Sequence, residues 1–167
     1  LNQYNQNLAV ETKGRLLSDA MENSDVFIGV SGANLLDEDH VKLMAKNPII
    51  FALANPDPEI LPSKAHAIRD DIVMATGRSD FPNQVNNVLG FPFLFRGALD
   101  AQATEITNDM LLAASFALAK LAKEPVPQSV LDAYKTNTME FGRDYLIPKP
   151  FDPRLIECVA TAVKEAY

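Results

Sequence analysis

Three short apolar runs, each close to continuous and none alternating, constrain this chain more than any other feature. They cover residues 26–30 (VFIGV), 49–53 (IIFAL) and 72–75 (IVMA). A strand that is apolar on successive positions, not every second one, reads as buried on both faces of a parallel sheet. Helical patterns separate the runs. Leu16, Leu17, Ala20 and Met21 recur at helical spacing before the first run. An acidic start suits a helix over residues 39–46, and a proline precedes one over residues 63–69. Helix and strand therefore alternate, which predicts an α/β fold built on a doubly wound parallel sheet.

Beyond residue 80 the pattern becomes helical. Asn83 is placed to cap a helix over residues 84–99, with a kink or break at Pro92. Thr107 is placed to cap a strongly apolar helix reaching Lys123, and a proline-containing loop follows at residues 124–128. Asp152 and Pro153 form a cap with proline at the first helical position, opening a last helix to the C-terminus. The division expected is residues 1–123 as one α/β unit and residues 124–167 as a helical extension. The extension would pack on that unit or lead to a following domain.

Composition narrows the functional classes. With 167 residues, 47% of them apolar, the chain can bury a real core. The formal charge of −7 is scattered and leaves no basic stripe, which argues against a nucleic acid partner. Cys158 is the single cysteine, so no internal disulfide can form, and this usage fits a reducing cytoplasm. No run approaches the roughly 18 apolar residues of a membrane span. The start, Leu1-Asn2-Gln3-Tyr4, has no basic segment of a signal peptide and no initiator methionine, and a processed chain or a piece of a longer protein is expected.

Chemistry concentrates where the apolar runs end. Ligands of open parallel sheets sit outside the carboxyl ends of the strands. Gly29-Val30-Ser31-Gly32, Asn55-Pro56 and residues 77–87, with Asn83, Asn86 and Asn87, all fall at such ends. An asparagine amide offers two donors and an acceptor without charge. That inventory suits a ligand presenting carboxamide, hydroxyl and carboxylate groups together, such as a nicotinamide beside a small hydroxy acid. Turn and cap chemistry is the plainer reading of any single asparagine. Asn86 and Asn87, however, would lie inside the expected helix, where asparagine is a poor choice.

The segments PIIFALANPDPEI, IVMATGRSDFPNQVNNVLGFPFLFRGAL and ITNDMLLAASFALA closely resemble the nucleotide-binding domain of malic enzymes, over nearly the whole chain. The ending FGRDYLIPKPFDPRLI resembles the long bacterial form, in which a phosphotransacetylase-like region follows. The resemblance implies the C-terminal part of a Rossmann-like domain and oxidative decarboxylation of malate to pyruvate with reduction of NAD or NADP, NADP being slightly favoured. It implies substrate contacts at Asn55 and Asn87 and nicotinamide-side contacts at Asn55 and Asn86. Gly29, Val30, Ser31 and Gly32 would lie against the adenosine half of the cofactor. A homo-oligomer is expected.

Other family features have no counterpart here. No strand leads into a G-x-G-x-x-G loop, and nothing matches the family's metal carboxylates, general-base lysine or catalytic tyrosine. The Mg²⁺ or Mn²⁺ the resemblance implies would therefore be held elsewhere in a longer protein. No catalytic residue is expected in this chain, and the isolated chain is expected to be inactive. Another doubly wound dehydrogenase, or a non-catalytic assembly module, would account for the sheet without needing the paired asparagines. His40 and His66 read as surface residues, Cys158 as packing, Asp70-Asp71 as a solvated helix end, and Arg78 as a loop ion pair or anion contact. The aromatic residues of GFPFLF read as core.

Overall fold

The computed structural model describes residues 6–167; the start at Leu1 to Tyr4 lies outside the described residues. Strands β1 (Val26–Gly29), β2 (Ile49–Ala52) and β3 (Val73–Thr76) form one parallel sheet in that order. The register sets Gly29 beside Ala52 and Ala52 beside Thr76, so all three strands end at one level.

Helices α1 (Leu17–Met21), α2 (Glu38–Leu43) and α3 (Pro62–Ile68) cover one face. Asp37 caps α2 by accepting from the His40 N–H, and Pro62 stands in the first turn of α3, where its missing donor costs nothing. Met21, Val41, Ile50, Ala65, Ile72 and Met74 belong to the core beneath them. Each large aliphatic side chain removed from water there contributes about 1.5–3 kcal/mol. Arg69, just past α3, donates to the carbonyls of Val41, Met44 and Ala45 and pairs with Asp71, locking the end of α2 to the start of β3.

The opposite face departs from the sequence expectation. Ile50 and Ala52 are fully buried, but Val26 is 48%, Ile28 65% and Val30 79% exposed. An apolar run records that a strand face avoids water; it does not record whether the cover belongs to the same segment of chain.

A second core lies among α4 (Phe91–Asp100), α5 (Asn108–Leu121) and α7 (Leu155–Glu165). Thr107 caps α5 as expected, accepting from the Met110 N–H at 3.2 Å. Gly97 allows α4 to lie directly on α7: a Cβ there would stand 2.5 Å from the Ala160 carbonyl oxygen and 2.6 Å from the Val163 Cβ. A short helix, α6 (Gln128–Ala133), has no counterpart among the sequence expectations.

The expected helix over residues 84–99 is also different. Residues 84–86 are not helical, a 3₁₀ turn covers Asn87–Leu89, and α4 begins at Phe91, so Pro92 opens a helix where it was expected to kink one. Asn83 is not a cap. It is 2% exposed with φ of 54°, and its amide donates to the carbonyls of Met74 and Arg143 while its oxygen accepts from the Leu146 N–H. The last helix starts at Leu155; Asp152 accepts from the Arg154 N–H and side chain in the preceding turn. Phe91 and Phe95 are 54% and 51% exposed, because their i,i+4 spacing places both on the outer face of α4.

Candidate functional site

Because the strands are parallel and in register, the segments that follow them emerge along one edge of the sheet. Gly29-Val30-Ser31-Gly32 leaves β1, Leu53-Ala54-Asn55 leaves β2 and Gly77 leaves β3. The chain then loops back. Gln84 bridges Thr76 in parallel, and the Val85 N–H donates to the Thr76 carbonyl at 2.8 Å. That contact carries Asn86 and Asn87 to the carboxyl end of β3.

Asn86 explains itself locally. Its side-chain oxygen accepts from the Val88 N–H at 3.0 Å and caps the 3₁₀ turn. The argument that asparagine is misplaced in a helix therefore falls for both residues, since Asn86 caps the 3₁₀ turn, Asn87 opens it, and neither lies inside an α-helix. Asn55, at a cis peptide to Pro56, and Asn87 differ. Both are exposed, and among the described residues their side-chain amides enter no hydrogen bond. Ser31 and Gly32 are exposed, whereas Gly29 is buried.

A cleft of about 590 Å³ opens on the side of the sheet away from α1–α3. Its walls include Phe51, Leu94, Leu118 and Pro148, with Asn86, Asn87 and Ser115 among its polar lining. Asn55 and residues 29–32 do not line it. Of the site residues expected from the sequence, Asn86 and Asn87 line the cleft.

One residue at this edge was not singled out from the sequence. Glu59 is fully buried beneath the β1 and β2 ends. One carboxylate oxygen accepts from the Ser31 N–H at 3.0 Å and the Ser31 hydroxyl at 3.3 Å, and the other accepts from the Ala54 N–H at 3.1 Å. Burial pushes its acidity down, but the N–H donors of Ser31 and Ala54 outweigh it and hold the carboxyl below the usual range. The available signal was a glutamate set between Pro58 and the apolar Ile60 and Leu61.

The remaining candidates resolve simply. Arg78 pairs with Asp80 at 2.7 Å and reaches Asp57 at 3.6 Å, so the loop ion pair is the arrangement present. His40 sits against Asp37, and His66 is exposed on α3. Asp71 does more than solvate a helix end, since it binds Arg69 and accepts from the Asn47 N–H. Burial pushes the Cys158 thiol up, as suits a packed residue. Among the described residues no group of three potential ligands converges on a metal position, and no helix is long and apolar enough to cross a membrane.

Residues 3–134 match the family described as malic enzyme, NAD binding domain. The chain is 59% identical to an NADP-dependent malic enzyme of Halomonas elongata, covering 99% of this chain and 39% of that protein. It is 55% identical to an NADP-dependent malic enzyme of Rhizobium meliloti, covering 99% of this chain and 22% of that protein. Among solved structures, an NAD-dependent malic enzyme from Thermotoga maritima superposes with a TM-score of 0.79 at 40% identity, over 98% of this chain and 40% of that one. The chain thus spans between about a fifth and two fifths of the length of these relatives.

Proposed function

The chain belongs to the malic enzyme family, and from that premise we propose that it supplies a cofactor- and substrate-binding edge to an enzyme that converts malate to pyruvate and CO₂ while reducing NAD or NADP. The observation that carries this reading is the convergence of residues 29–32, Asn55 and Asn86–Asn87 along one sheet edge, with the amides of Asn55 and Asn87 unengaged.

The residues present fit a nicotinamide cofactor. Uncharged amides can serve a carboxamide and a hydroxyl at once, and backbone approach is open at Gly32, where an added Cβ would meet nothing within 4 Å. A bound nicotinamide cofactor would supply the hydride acceptor for oxidation at the hydroxyl-bearing carbon of malate. Asn87 donates to a substrate carboxylate, a charge-assisted bond that fixes the orientation of malate. Asn55 would hold substrate and nicotinamide together through its uncharged amide. Asn86 keeps its oxygen on the Val88 N–H, which leaves its amide nitrogen as the donor for the nicotinamide side of the cofactor. Residues 29–32 receive the adenosine half. The apolar cleft walls limit water around Asn86 and Asn87.

Mg²⁺ or Mn²⁺ does not fit the described residues, which gather no ligand set; no step of this reading passes through a metal held by this chain. NADP is favoured over NAD because the relatives named above from Halomonas and Rhizobium are NADP-dependent. Residues 1–123 form the nucleotide-binding part in this reading and residues 124–167 the helical extension. A cytoplasmic homo-oligomer completes it, consistent with the exposed Leu112 and Phe116 on α5.

The test is malate-dependent cofactor reduction with Mg²⁺ or Mn²⁺, in this chain and in a protein of the relatives' full length that carries it. Turnover by the longer protein alone is expected. A longer protein that folds and binds cofactor but ignores malate would overturn the reading in favour of another dehydrogenase.

A further inference from the structure

Glu59 is fully buried with no cationic partner among the described residues, unlike the buried Asp152, which pairs with Arg154, and its carboxylate is spent entirely on main-chain and hydroxyl donors of two loops. A buried carboxylate without a cationic partner is costly unless donors satisfy it. Here they come from Ser31, after β1, and Ala54, the residue before Asn55 after β2. The surroundings are shaped for it. A Cβ on Gly29 would run into the Glu59 carboxylate, whose carbon would lie 2.5 Å away. The glycine is therefore the space the carboxylate occupies. The loops are also sewn by the main chain, with Asn34 N–H donating to Pro58 and Leu36 N–H to Glu59.

By contrast, the β2 and β3 ends are joined in side chains by the solvent-exposed Arg78–Asp57 pair at 3.6 Å, an arrangement that contributes little. The β1 and β2 ends are joined from inside. We propose that Glu59 is a positioning residue that sets the distance between the adenosine seat at residues 29–32 and the nicotinamide seat at Asn55. This rests on the cofactor assignment made above. The cofactor spans the two loops, so a change in their spacing weakens both ends of its grip together, although Glu59 touches neither cofactor nor substrate.

The experiment uses the full-length protein carrying this chain, with Glu59→Gln and Glu59→Asp. Glutamine keeps the shape but points an amide N–H at one of the two donors, while aspartate keeps the charge but is too short to reach both loops. For each variant the KM for NADP, the KM for malate, kcat and the melting temperature are measured, with active enzyme titrated. In folded Glu59→Gln the KM for NADP should rise about tenfold or more, well beyond any fall in melting temperature, as expected for lost binding geometry. A merely structural carboxylate would lower the melting temperature and the titratable fraction with KM unchanged, and that result overturns the proposal. If Glu59→Gln does not fold, Glu59→Asp is read the same way, with a rise of about threefold or more supporting the proposal and an unchanged KM refuting it. Wild-type protein that ignores malate is a different failure: it refutes the functional reading, not the role of Glu59.

Discussion

Replacing Asn83 tests how the loop behind the site is held. Its amide makes three hydrogen bonds, one buried, to the Met74 carbonyl at 2.9 Å, and two part-buried, to the Arg143 carbonyl at 2.6 Å and from the Leu146 N–H at 2.8 Å. Asn83→Ala leaves two carbonyls and one N–H unpaired in a position 2% exposed, at about 1 kcal/mol each. Alanine must also take up the left-handed backbone at φ 54°, which adds about 1 kcal/mol. The expected loss is about 4 kcal/mol, a large part of a typical domain's stability. Asn83→Gly removes the same bonds without the steric cost and should recover about 1 kcal/mol of it. The assay is denaturant unfolding of the protein carrying this chain, with amide exchange at Leu146 as the local readout. Exchange at Leu146 should accelerate in both variants, because that N–H loses its acceptor. An alanine variant within about 1 kcal/mol of wild type, or a glycine variant no better than alanine, would refute the account.

Two further outcomes follow from packing and charge. Gly97→Ala pushes a methyl into the Ala160 carbonyl and Val163, so α4 and α7 must separate, and a loss of roughly 2–3 kcal/mol in unfolding experiments is expected. Asp71 is held well below the usual carboxylate range, chiefly by Arg69 and then by the Asn47 N–H. A depressed folded value means its contribution is complete above the unfolded value of about 3.9 and is lost only as pH falls toward the folded one. Melting curves of wild type and Asp71→Asn should therefore differ by a constant gap from neutral pH down to about pH 5, and the gap should close in stronger acid.

What the sequence disclosed and what it hid divide along physical lines. Continuous apolar runs located all three strands within about one residue, because strand burial is written in consecutive side chains. Thr107 was readable as a cap because a cap and its N–H partner lie three residues apart. Asn83 was not readable, since two of its partners are 60 and 63 residues away. Glu59 escaped for the same reason, with a partner 28 positions upstream, inside a segment that reads as an acidic turn. The positions of Asn55, Asn86 and Asn87 at strand ends were legible. The local cap role of Asn86 was not, because it depends on where the helix begins. The exposed outer face of β1 was hidden because an apolar run does not say what covers it.

The most direct measurement is kcat/KM for malate in the full-length protein with Asn55→Ala and with Asn87→Ala, beside the exposed Asn137→Ala as control. Loss of a hydrogen bond to a charged or reacting group should lower kcat/KM about 10- to 100-fold in each of the first two, with melting temperature unchanged and the control at wild-type level. Values within about twofold of wild type for both would contradict the claim that these amides hold the reacting centre.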